Sequence, residues 1–77
     1  MNRQTRRIDD VSLAAFLTVA GHRVEAIEGP GERVAFFFAD TPVLVKDTLR
    51  FYNRETQVDA LTYSESLRRL KSATYSA

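Results

Sequence analysis

The chain has 77 residues, 44% of them hydrophobic and 27% charged, with a formal net charge of +1 and no cysteine. That length makes one domain rather than two and leaves a core near the lower limit of what folds unaided. The lack of thiols excludes a disulfide framework and a thiolate metal site, and the near-neutral charge sets no bias toward nucleic acid.

The opening residues carry Arg3, Arg6 and Arg7 with no apolar segment directly behind them. They read as a basic, flexible arm (residues 1–7) and not as a secretion signal. The most apolar run, residues 11–20, is about half of the roughly 20 residues that span a bilayer. The expected setting is therefore the cytoplasm, with no membrane partner. Asp9-Asp10 precede "VSLAAFLTVAG", so an aspartate caps a first helix over about 10–20, and Gly21 suits the left-handed position after it. Only Ser12 and Thr18 are polar inside it, which predicts a helix buried on most of its faces.

"HRVEAIEGPGERVAFFFAD" reads as a hairpin with strands over about 22–28 and 33–39. Gly29-Pro30-Gly31-Glu32 fits a type II turn. A symmetrical register pairs Glu28 with Arg33, Ile27 with Val34 and Val24 with Phe37. Alternation then puts Ile27, Val34, Phe36 and Phe38 on one face, and Val24, Ala26, Ala35, Phe37 and Ala39 on the other. Both faces are apolar, whereas a sheet wet on one side alternates apolar with polar. Phe37 therefore needs cover, either from helices on both faces or from a second copy of the chain. A lone two-stranded sheet is marginal in water, which favours the second copy, with Phe37 as its anchor.

Thr41-Pro42 is a cap followed by a favoured first helical residue, and predicts a second helix over 42–53. Thr62-Tyr63-Ser64-Glu65 matches a capping box for a third helix over 63–75, with Tyr63, Leu67, Leu70 and Thr74 as its apolar stripe. The expected fold is α+β, a hairpin packed with three helices in the order α-β-β-α-α, self-associating, dimer favoured.

The inventory for catalysis is thin. His22 is the single histidine and stands at a helix-to-strand junction, where a loop histidine explains it better than a triad. Adjacent Asp9 and Asp10 are explained as helix caps rather than metal ligands, and the glycines of "EGPGER" as turn residues rather than a phosphate loop. Basic and aromatic residues do interleave: Arg50, Tyr52 and Arg54 late in the second helix, and Arg68, Arg69, Lys71 and Tyr75 along the third. Cations for phosphate and rings for stacking are what single-stranded nucleic acid requires. A separate possibility is a cleft between subunits, lined by His22, Arg23, Arg33 and Phe37, that sequesters a nucleotide.

"DVSLAAFLTVAGHRVEAIE", "RVAFFFAD", "VDA" and "SLRRLKSATYSA" together resemble a domain-of-unknown-function family of small bacterial and phage proteins. The resemblance covers about residues 8–75. It implies a small cytoplasmic protein, from a phage or other mobile element, and carries no catalytic residues across, because the shared motifs are packing patterns. The expected function is a non-enzymatic, homo-oligomeric binding module without cofactor or metal, engaging an anionic partner such as nucleic acid or a nucleic-acid-associated protein. The nucleotide pocket and a protein-only inhibitor or adaptor are the alternatives.

Overall fold

The computed structural model of the protein describes residues 4–29 and 34–76, with the side chains of 74–76 excepted. Its elements are β1 (Thr5–Ile8), α1 (Val11–Val19), β2 (Val24–Glu28), β3 (Ala35–Ala39), α2 (Pro42–Tyr52) and α3 (Ala60–Ser76). The class is α+β as the sequence predicts, but the order is β-α-β-β-α-α, and the sheet has three antiparallel strands in the order β1-β3-β2.

Over residues 5–7 the added strand stands where a basic arm is expected; residues 1–3 of that arm lie outside the described residues. Residues 5–8 pair with β3, Thr5 opposite Ala39 and Ile8 opposite Phe36. The most apolar strand, β3, thereby takes the centre of the sheet. The edges carry the charges, Arg6 and Arg7 on β1 and Glu25 and Glu28 on β2, which discourages edge-to-edge pairing.

The hairpin register is also displaced. Glu28 lies opposite Ala35, Ile27 opposite Phe36 and Ala26 opposite Phe37, and an irregularity then brings Val24 opposite Phe38. The connection is longer than a symmetrical four-residue turn allows, and the bulge moves Val24 from the Phe37 face to the core face. The predicted type II turn falls mostly on residues 30–33, outside the described residues.

Phe36 and Phe38 are fully buried, with Ile8, Leu13, Phe16, Leu17, Leu44 and Leu70 in one cluster around them. That cluster draws all three helices to a single face of the sheet. Five successive α1 residues, Leu13 to Leu17, are buried, because the sheet, α2 and α3 surround the helix. α2 and α3 both pack on α1 and make little contact with each other. Phe16 and Phe51 join α1 to α2 with ring centroids 5.5 Å apart. The α1–α3 contact is polar as well as apolar. The Tyr63 hydroxyl donates to the Ser12 carbonyl at 3.1 Å, and the Thr18 and Ser66 hydroxyls hydrogen-bond each other.

The caps follow local sequence closely. Asp10 accepts from the Ser12 N–H at 2.9 Å, and Thr41 from the Leu44 N–H at 3.1 Å. α1 ends with Gly21 at φ 104°, the Gly21 N–H reaching the Thr18 carbonyl and the His22 N–H the Leu17 carbonyl. α3 begins three residues before the predicted start. Asp59 caps it, accepting from both the Thr62 N–H and the Thr62 hydroxyl at 2.8 and 2.9 Å. Thr62 is thus inside the helix rather than its cap.

Candidate functional site

Arg50, Tyr52 and Arg54 stand at the C-terminal end of α2, all exposed. Arg68, Arg69 and Lys71 are exposed on α3, where about 100° of rotation per residue fans them around the helix. Arg69 turns toward the C-terminal end of α1 and lines a groove with Thr18, Thr62, Glu65 and Ser66. The two basic groups belong to helices separated by α1, so they do not form the single patch that the sequence suggests. The Tyr75 side chain and Arg33 lie outside the described residues.

His22 is more tightly held than a loop histidine. Its Nε2 is 2.8 Å from Asp47 Oδ2, with the two side chains only 15% and 13% exposed. Arg50 Nη1 stands 3.9 Å from the other oxygen of Asp47. This links the α1–β2 junction to the middle of α2, on the helix side of the sheet. Phe37 points to the opposite face of the sheet, so within one chain His22 and Phe37 do not line a common cleft.

Asp47 and Arg50 also border a groove of about 410 Å³ closed by the 56–59 loop, with Gln57 and Asp59 on its rim. The Asp59 carboxyl is held below its ordinary pKa chiefly by the Thr62 N–H, with the Thr62 hydroxyl second. Among the described residues no group of three or more His, Asp or Glu side chains could hold a metal ion, and no helix is long and apolar enough to cross a membrane.

Two features escape sequence reading. The first is how little of α2's apolar surface is covered. Leu44 and Phe51 face the core, whereas Val45, Leu49 and Tyr52 are 37%, 57% and 61% exposed. Their spacing of four and then three residues forms one stripe along the helix. A cleft of about 320 Å³ beside Tyr52 and Thr48 reaches Arg6, Arg7, Ile8 and Leu13. On the stripe's other side the helical rotation places the exposed Lys46 and Arg50. The spacing could have flagged this stripe, but a helix's apolar residues are ordinarily counted as core. The second feature is Arg54, which follows α2 with φ 56°, in a conformation that usually falls to glycine.

The chain belongs to the DUF5659 family, a domain of unknown function, whose model matches residues 3–76. No curated protein and no solved structure matches it.

Proposed function

We propose, for this member of a family without assigned activity, a non-enzymatic module that binds an amphipathic helix of another protein along α2. One observation carries the reading: Val45, Leu49 and Tyr52 are exposed and aligned at helical spacing on one helix beside a cleft, whereas the other exposed apolar side chains, Ile27, Val43, Val58 and Leu61, lie off that stripe. Apolar side chains aligned at helical spacing beside a cleft match the helix-in-groove mode of peptide recognition. Cations flank the stripe on both sides. Lys46 and Arg50 stand on α2, and Arg6, whose Nε meets Asp40 at 3.1 Å, stands across the cleft on the core side of β1. Complementarity therefore selects a helix with carboxylates beside its apolar stripe. That partner keeps the anionic character expected from the sequence but places the anion on a protein.

The test is fluorescence anisotropy with three labelled peptides. One carries leucines at helical spacing with flanking glutamates, the second replaces the glutamates by lysines, and the third replaces the leucines by serines. The first is expected to bind at least tenfold more tightly than either of the others, and Leu49→Asp is expected to abolish that binding. Equal binding to wild type and Leu49→Asp would overturn the reading. So would failure of all three peptides, or tighter binding of a single-stranded oligonucleotide with affinity falling steeply in salt, the outcome expected of a nucleic-acid binder.

A further inference from the structure

The geometry points to a second copy of this chain as the cover for the outer face of the sheet. All three helices pack on the Phe36 and Phe38 side, so that among the described residues no helix covers the other face of β1, β3 and β2. By register that face carries Arg7, Phe37 and Ala26 in one row across the sheet, with Ala35 and Glu28 in a neighbouring row and Ala39 and Thr5 in the other. Phe37 is half-buried and is, among the described residues, the one large apolar side chain there; Ala35 beside it is already buried, and Ala26 and Ala39 permit close approach of a facing sheet. Face-to-face sheets pack about 10 Å apart with their strands within about 30° of parallel.

Charge fixes how two copies meet. Arg7 and Glu28 lie on opposite edges of this face, on β1 and β2. A two-fold axis parallel to β3 sets Phe37 on Phe37 and lays β1 of one copy across β2 of the other. Arg7 then lies over Ala26 of the partner subunit, with Asp9 of its own chain, which it contacts through Nε at 2.8 Å, and Glu28 of the partner subunit both one row along and within reach of its guanidinium. A two-fold axis perpendicular to the strands through Phe37 would instead stack Arg7 on Arg7. The first arrangement is self-complementary, as an isologous dimer requires.

Three short strands offer a footprint of only about 14 Å by 17 Å, from a strand spacing of about 4.8 Å and a rise of about 3.4 Å per residue. That is well under the roughly 800 Å² per partner of a tight complex, so the dimer is weak and concentration-dependent.

The experiment is light scattering on the full chain across a concentration series. The wild-type mass is expected to rise from that of one chain toward that of two. Phe37→Arg and, independently, Ala26→Arg are expected to remain monomeric at every concentration while keeping the wild-type circular dichroism. Arg7→Glu is expected to weaken the dimer, and Arg7→Glu with Glu28→Arg to restore it. Leu49→Asp is expected to dimerise like wild type, because α2 lies on the other side of the sheet. A wild type that stays monomeric at millimolar concentration would overturn the inference. So would a folded Ala26→Arg that still dimerises, or a charge swap that fails to restore association.

Discussion

Arg54 illustrates how much a single residue discloses. The end of α2 has the same bonding as the end of α1: the Arg54 N–H reaches the Phe51 carbonyl, and the Glu55 N–H the Arg50 carbonyl. In α1 the left-handed position is taken by Gly21, and in α2 by an arginine. A residue with a Cβ pays about 1 kcal/mol or more in this conformation. Arg54→Gly is therefore expected to stabilise the fold by about 0.5–1 kcal/mol, read as a higher urea midpoint. An unchanged or lower midpoint would mean that the arginine side chain contributes a compensating contact. Asp59 makes a second residue-scale prediction. Its pKa is depressed in the folded protein, so its contribution to stability is present above the unfolded value, about pH 4, and is lost as the pH falls through the folded value. The difference in thermal midpoint between wild type and Asp59→Asn is expected to be full at pH 6 and to close in acid. A difference that persists undiminished at pH 2.5 would assign the cap to geometry alone.

Among the elements, β1 is the most consequential. It is four residues long and carries two arginines, yet Ile8 enters the core cluster beside Phe36 and Phe38, and Asp40 N–H bonds the Gln4 carbonyl at the strand's start. Arg6, on the core side at the sheet's edge, remains exposed and meets Asp40 at 3.1 Å, a surface ion pair worth little by itself. The strand is thus held by ladder hydrogen bonds and one buried side chain. Ile8→Ala is expected to cost about 2–4 kcal/mol, a large share of what so small a domain has, and denaturant unfolding measures it directly. A flexible arm would predict no loss, so the same measurement separates a strand from an arm. α2 is the reverse case, an element whose identity is fixed by Thr41, Pro42 and Asn53 but whose apolar arc is wider than the core it meets.

At the scale of the whole molecule, the fold is a thin slab with extents of 35 × 32 × 17 Å. A two-layer slab has two broad faces, and here they differ in kind. The helix layer bears the exposed α2 stripe and the fanned cations. The sheet face bears Phe37 among alanines, with charges at its edges. The two proposed contacts use opposite faces, so a dimer leaves both copies of α2 open to a partner. Small-angle scattering under conditions that populate the dimer is expected to show a particle thickened by stacking rather than lengthened in the plane of the sheet. An elongated particle would point to edge pairing through β1 or β2.

The class, the three helices, the two strands of the hairpin and most of the caps are legible in the linear chain. Asp10, Gly21, Thr41 and Asn53 act within one turn of the residues that they cap, and helical or alternating spacing is visible in a single window. Phe37 is set apart from Phe36 and Phe38 there too, because alternation along a strand is local. That residues 5–8 form a strand is set by packing, since "TRRI" is too short and too charged to signal one without the partner that β3 supplies far along the chain. Packing also decided the register, where a longer connection and a bulge overrode the symmetrical turn, and the tie between His22 and Asp47, which are 25 residues apart. And it decided which apolar surface is core: Leu44 and Leu49 are equally apolar in the sequence, and packing against α1 and the sheet reaches one and leaves the other in water.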